Sequence, residues 1–182
     1  MRTVLFILTF ATSLFVSDIA CAHIDHGGMP DSVAEMEYRI LLEFEPQKHD
    51  IRNKLGDVLL RLKKYEEARV EFLAILDVVP DNLEAQIGLG QLLIHEQKWA
   101  EAEDCFLKLQ KHYPANIELS YYLGIIYKGF GDLEKAQRIL NEALLKAEKD
   151  QSQASAHIVG KIKEVLADFK VQSGISADKV RQ

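Results

Sequence analysis

Apolar residues recur along much of the chain at the three- and four-residue spacings that place them on one face of a helix. Leu55 and Leu59, one helical turn apart, show this spacing in a single segment. Pro80 and Pro114 interrupt the pattern, and a proline ends a helix because it lacks a backbone N–H and disfavours the helical conformation before it. The pattern therefore predicts a succession of helices separated by turns.

The pattern repeats in three blocks of equal length, 49–82, 83–116 and 117–150, which align without a gap. Each block has a Leu-Gly pair, then a bulky residue, an alanine and a large apolar residue at fixed offsets. Unrelated helical hairpins would not share so many positions at one period. The aligned residues are Leu55-Gly56, Leu89-Gly90 and Leu123-Gly124; Tyr65, Trp99 and Leu133; Ala68, Ala102 and Ala136; Phe72, Phe106 and Leu140.

These residues and their period resemble the tetratricopeptide repeat. The resemblance implies an all-α, right-handed solenoid of three helix hairpins, because each hairpin buries its apolar faces only against its neighbours. Gly56 and Ala68 would let the two helices of the first hairpin approach closely, with Phe72 between them. Asn82 and Asn116 are placed to cap the helices that follow.

Both ends of the repeat array are predicted to carry a capping helix. Residues 31–46 form half a repeat, with Ala34 and Tyr38 at second-helix offsets. Residues 151–174 form the C-terminal cap, which ends near Gly174 and leaves 175–182 as a tail. The third block has Glu148 where proline is expected, so its second helix is expected to extend toward Gln151. The apolar stripe of the C-terminal cap comprises Ile158, Ile162, Val165, Leu166 and Phe169.

The resemblance also assigns the concave face to first-helix residues of each repeat. These residues form an acidic edge beside an apolar strip, which suits a partner segment that is amphipathic and carries basic flanks. The alternative is that the isoleucines are half-buried between helices. Asn53 is at a position that binds peptide carboxylates in some such domains, but the accompanying basic residues are absent. The predicted groove comprises Asp50, Asn53, Asp57, Leu60, Glu84, Ile87, Gln91, Ile94, Glu118, Tyr121, Ile125 and Lys128.

Composition excludes several other classes of function. The 182 residues carry a net charge of −6 with acidic and basic residues interspersed, so nucleic acid is not an expected partner. The sequence contains no glycine-rich phosphate loop, no Cys-x-x-Cys and no nucleophile elbow, so neither an enzyme nor a cofactor is predicted. Cys105 precedes the packing residue Phe106 and is read as a buried thiol. His49, His95, His112 and His157 are scattered and are read as solvated.

The N-terminus has the features of a secretory signal peptide: Arg2, an apolar run from Val4 to Val16, and a small-residue exit at Ala20-Cys21-Ala22. The sequence predicts cleavage after Ala22 and export, to the periplasm. The apolar run is too short for a membrane-spanning helix. A lipoprotein cleaved before Cys21 is the other alternative.

Three functions follow from these features. The first is a non-enzymatic interaction module, acting as an adaptor, assembly factor or chaperone that holds a segment of another protein on the concave face. The second is a small metal-handling protein that uses His23, Asp25 and His26 in the flexible segment 23–30, because these groups can bind copper or zinc. The third is a self-assembling scaffold, in which the concave face receives another copy.

Overall fold

The computed structural model describes residues 30–148 and 153–179, and over these residues the chain forms eight helices and no strand. The all-helical solenoid that the sequence predicted is confirmed. The helices are α1 (Asp31–Phe44), α2 (His49–Arg61), α3 (Tyr65–Leu76), α4 (Leu83–His95), α5 (Trp99–His112), α6 (Ile117–Phe130), α7 (Leu133–Ala147) and α8 (Gln153–Lys179).

The helices are arranged in two rows. The first row contains α2, α4, α6 and α8, and the second row contains α1, α3, α5 and α7. Every helix packs against the next one along the chain, and α2, α4, α6 and α8 also contact each other in that order. Across the described residues, the second-row helices α1, α3, α5 and α7 have no such close backbone contacts with one another. The first row is therefore the tighter of the two, so it forms the concave side of the solenoid.

Close glycine contacts hold the two rows together. A Cβ on Gly56 would come within 2.5 Å of the Phe72 ring, and a Cβ on Gly90 within 2.7 Å of Phe106. Gly124 has the same relationship to Leu140, at 2.5 Å. The prediction that these glycines allow the second helix to approach is confirmed. The large side chains that fill the gaps, Phe72, Phe106 and Leu140, are fully buried.

The turns between repeats are built as the sequence predicted. The side chain of Asn82 accepts a hydrogen bond of 2.9 Å from the backbone N–H of Ala85. Asn116 accepts one of 2.9 Å from the N–H of Glu118 and a longer one from Leu119. These bonds satisfy N–H groups that the first turn of a helix leaves without a partner, so both predicted caps are confirmed.

The turn inside each repeat has a feature that the sequence analysis did not anticipate. Lys63, Gln97 and Gly131 are at the same offset in the three repeats, and their φ angles are 60°, 58° and 81°. This is the left-handed region, which costs little for glycine but is unfavourable for other residues. The repeat geometry therefore imposes a left-handed residue here, and only the third repeat supplies a glycine.

The prediction for the C-terminal part of the chain was wrong at two points. Helix α8 continues through Gly174 to Lys179, so Gly174 does not end it and 175–179 are not a tail. A glycine inside a helix costs about 1 kcal/mol relative to alanine and does not by itself stop the helix. Helix α7 ends at Ala147 with Glu148 as its C-cap and does not extend to Gln151. The apolar stripe of α8 is confirmed, with Ile162 fully buried.

The predicted signal peptide, Cys21 and the segment 23–30, apart from Pro30, lie outside the described residues. Among the helices of the described part, none combines the length and the apolar content needed to cross a membrane.

Candidate partner-binding groove

A cavity of about 520 Å³ opens on the concave side, between α2, α4, α6 and α8. Leu60 and Ile87 are buried beneath it, each with 5% of its surface exposed. Three carboxylates line the same space, one from the first helix of each repeat. The predicted groove residues brought together here are Asp57, Leu60, Glu84, Ile87, Gln91 and Glu118.

A second cavity of about 260 Å³ adjoins the first along α4 and α6. The two share lining residues, including Gln91 and Lys161, so they form one continuous depression, called here the groove. The second part is more apolar, and it brings in three further predicted residues, Ile94, Tyr121 and Ile125.

Three predicted residues lie elsewhere. The Asn53 side chain is buried, and its Nδ2 donates to Oδ1 of Asn82 at 3.2 Å. Asp50 lines a separate surface depression beside Pro46. Lys128 forms an ion pair of 3.2 Å with Asp168 of α8. Asp50 and Asn53 are in the first two turns of α2, and Lys128 is in the last turn of α6, so the groove takes its predicted residues from the middle of the array.

Several groove residues were missed by sequence reasoning. His157 and Lys161 come from α8, which was treated only as a cap, yet this helix forms one wall of the groove. Tyr65 packs against the core beside its aligned repeat position, and His95 is exposed as the sequence predicted. Their rings stack at 4.8 Å between centroids and line the groove together. No sequence pattern indicated that these two side chains would meet.

Asp57 is a groove carboxyl whose pKa is raised. It keeps contact with solvent, but the groove walls surround it, and this burial raises the pKa of its carboxyl to about 6. The charges of Glu118 and Glu84 push this pKa in the same direction, while Arg61 and Lys161 oppose them. The three carboxylates are thus close enough to repel one another, which is the arrangement that an incoming cation relieves.

Two tyrosines form the aromatic side of the groove. The Tyr122 hydroxyl donates to Oε1 of Glu118 at 3.3 Å, and its ring stacks on Phe106 at 4.9 Å. Burial raises the pKa of Tyr122 far above its ordinary value, and the charge of Glu118 adds to the effect. Burial also raises the pKa of Tyr121. Both side chains therefore combine an apolar ring with a neutral hydroxyl that can form hydrogen bonds.

The groove is less purely acidic than the sequence indicated. Arg61, Lys63 and Lys161 also line it. Arg61 is engaged at the rim by Asp31, with 2.8 Å between its Nη2 and Oδ1. Lys161 lies 6.0 Å from the centroid of the Tyr121 ring. The carboxylates therefore face a cation contributed by α8, and the surface is of mixed charge.

No group of three or more His, Cys, Asp or Glu side chains is arranged to bind a metal ion within the part of the chain that is described. The proposed metal ligands His23, Asp25 and His26 lie outside it. The Cys105 thiol is half-buried, and this burial raises its pKa, in keeping with the packing role read from the sequence.

The chain belongs to the tetratricopeptide repeat family. The family model for the tetratricopeptide repeat matches residues 18–76 and 53–117, together more than half of the sequence. The first match begins before α1, inside the segment read as a signal peptide. A comparison with curated proteins found no match.

Solved structures share the fold. MamA, residues 41 to the end, from Desulfovibrio magneticus RS-1 is 20% identical, with a TM-score of 0.52 over 76% of this chain and 86% of that one. The MamA RS-1 ArsTM double mutant is 19% identical, with a TM-score of 0.51 over the same shares. At this level of identity the likeness establishes the fold alone.

Proposed function

We propose that the protein is a non-enzymatic interaction module whose groove binds a segment of another protein. The observation that carries this proposal is the convergence of side chains from all three repeats and from α8 on one cavity of about 520 Å³. An apolar base with a few polar groups above it is the usual composition of a binding site. Repeat folds of this kind use their concave surfaces for recognition.

The groove favours an amphipathic segment that carries at least one lysine or arginine. A cation placed between Asp57, Glu84 and Glu118 would relieve the repulsion that contributes to the raised pKa of Asp57. The aromatic faces of Tyr121 and Tyr122 offer a further attraction for the same group. Apolar side chains of the segment would lie along Ile94 and Ile125. Lys161 would pair with an acidic residue of the partner.

The cellular role that follows is that of an adaptor, assembly factor or chaperone. The N-terminal sequence, with its charge, apolar run and small-residue exit, supports export and action in the periplasm. In that compartment the protein would present its groove to a segment of an exported partner.

Selection of peptides from a random library on the immobilised protein tests this function. We expect the selected peptides to combine lysine or arginine with apolar residues at helical or alternating spacing. Calorimetry should then show at least tenfold weaker binding to a variant with Asp57→Asn and Glu118→Gln. The matched control, Glu142→Gln with Glu134→Gln, removes two exposed charges from α7 and should leave the affinity unchanged. Selection of acidic peptides, or equal binding by both variants, would contradict the proposal.

A further inference from the structure

Lys161 of α8 lines both parts of the groove. It borders the larger cavity, which contains the carboxylates, and the smaller, more apolar one. Its Nζ lies 6.0 Å from the centroid of the Tyr121 ring of α6. Two turns further along both helices, Asp168 of α8 pairs with Lys128 of α6 at 3.2 Å. The two helices therefore lie side by side and run in the same direction, so Lys161 is at the level of Tyr121.

The core fixes the helical segment that carries Lys161. Ile158 and Ile162, which precede and follow it in the sequence, are both buried, and Ile162 is buried completely. Both belong to the apolar core that α6 and α7 also form. Lys163 is on the other flank of α8, is exposed, and lines neither cavity. The same helix thus carries one lysine in the groove and one outside it.

The charge of Lys161 is not neutralised by an ion pair within the part of the chain that is described. The other two cations of the groove differ from it, because Arg61 pairs with Asp31 at the rim and Lys63 is exposed in the turn after α2. Burial raises the pKa of Asp57, and the charge of Lys161 is among those that oppose this rise. Lys161 is therefore within electrostatic range of the groove carboxylates although it contacts none of them directly.

A cation at this place discriminates between partner segments. A lysine or arginine bound at the carboxylates comes close to Lys161, and two like charges in a partly enclosed site repel each other. An acidic side chain on the same segment offsets this repulsion, because it pairs with Lys161. Specific recognition commonly includes a repulsive element of this kind, which acts against the wrong partners.

We propose that Lys161 is a specificity-determining residue, through which the groove accepts a segment that has an acidic residue one helical turn from its basic residue and rejects a segment that is basic throughout. The spacing follows from α6, where Glu118 is one turn before Tyr121 and therefore one turn from the level of Lys161. In a helical segment this is a separation of three or four residues. This selectivity rests on the proposed function, since it requires a segment in the groove, and it adds the charge pattern that the segment carries.

Parallel selections from a random peptide library test this specificity, with the wild type and the variants Lys161→Met and Lys163→Met immobilised. Peptides selected on the wild type should carry Glu or Asp three or four positions from Lys or Arg. Peptides selected on Lys161→Met should be more basic and should lack this acidic residue. The matched control, Lys163→Met, removes an exposed lysine from the same helix, so its peptides should resemble those of the wild type.

Calorimetry then measures the coupling between Lys161 and the acidic residue of a peptide selected on the wild type. Replacing that residue by its amide should weaken binding to the wild-type protein about tenfold. The same replacement should change binding to Lys161→Met by no more than about twofold, because the pairing group is already absent. Lys161→Arg keeps the charge and should retain the preference. Circular dichroism melting checks that the variants are folded, and the loss on the wild-type protein requires no variant.

Three outcomes would overturn this specificity. The first is that the wild type and Lys161→Met select equally basic peptides without an acidic residue, in which case the groove still binds basic segments. The second is an equal loss for both proteins when the acidic residue is replaced, because another group of the groove, such as His157, would then bind it. The third is that none of these proteins selects peptides with lysine or arginine, in which case the proposed function is also wrong.

Discussion

Phe72 of α3 lies against Gly88 of α4 so closely that a Cβ on Gly88 would be 2.3 Å from its ring. The same ring contacts Gly56 of α2. One fully buried side chain therefore joins the two helices of the first repeat to the first helix of the second. Because a solenoid is held together by contacts between neighbouring repeats, this contact is a point at which its stability is sensitive to added volume.

Gly88→Ala should destabilise the protein. The added methyl group must displace the Phe72 ring, and overpacking of a filled core costs about 1–3 kcal/mol. The better helix propensity of alanine returns up to about 1 kcal/mol. Urea denaturation should show a net loss of about 1–2 kcal/mol. The control is Gly160→Ala in α8, where nothing lies within 4 Å of the new Cβ. This control should raise the stability, and equal effects at both positions would refute the packing argument.

The two capping asparagines should differ in importance. Asn116→Ala removes a helix cap and should cost about 1 kcal/mol. Asn82→Ala removes a cap and also the acceptor for Nδ2 of the buried Asn53 side chain. A buried donor without a partner adds about 1–3 kcal/mol, so Asn82→Ala should be the more harmful change. Thermal melting of the two variants in one buffer checks this order, and a larger effect of Asn116→Ala would contradict it.

The left-handed turn residues provide a test in both directions. Gln97→Gly should stabilise the protein by about 0.5–1 kcal/mol, because it relieves the unfavourable positive φ that Gln97 adopts. Gly131→Ala should destabilise it by a similar amount, although no atom lies within 4 Å of the new Cβ. The effect is thus one of backbone conformation alone. Urea titrations that show no difference in sign between these two variants would contradict this explanation.

The fold was predictable because packing positions recur at one period. Gly56 and Phe72 can be recognised by their offsets without knowledge of the structure, and the caps at Asn82 and Asn116 follow from local chemistry. The end of α8 was not predictable, because Gly174 is compatible with either a helix interior or a helix end. The left-handed conformations of Lys63 and Gln97 could not be predicted from the residue type, since only the third repeat has a glycine at this offset.

The groove was predictable only in its central part. Asp57 and Ile87 follow from repeat offsets, because the first helices face the concave side. His157 and Lys161 reach the groove only through the path that α8 takes across α6, and this path depends on tertiary packing.

Cys105 should react slowly with alkylating reagents. Its half-buried thiol has a raised pKa, caused first by burial and then by the charge of Asp104. At pH 8 a smaller fraction is therefore the reactive thiolate than in an unfolded chain. Mass spectrometry should show at least tenfold slower labelling of Cys105 by iodoacetamide in the native protein than in urea. Equal rates would contradict the burial of this side chain.

Asp57→Asn should weaken peptide binding but stabilise the fold, and the size of this stabilisation should depend on pH. The folded pKa of Asp57, about 6, is raised above the unfolded value of about 3.9. The favourable contribution of this group to folding is therefore complete below about pH 4 and is lost as the pH rises through about 6. Asp57→Asn avoids this loss, so the variant should melt about 2–4 °C above the wild type at pH 7.5, which corresponds to about 1 kcal/mol after allowance for solvent screening.

The advantage of Asp57→Asn in thermal melting should disappear at pH 4, whereas Glu142→Gln, which removes an exposed charge from α7, should show no such dependence. For peptide binding, in contrast, the wild type should have the advantage over Asp57→Asn, and this advantage should grow with pH. A basic peptide needs the ionised Asp57, so its affinity for the wild type should rise between pH 5 and pH 7, and its affinity for Asp57→Asn should not. Because His95 and His157 also line the groove, the series should be repeated with both changed to glutamine. If the pH dependence vanishes in that background, the histidines and not Asp57 control recognition.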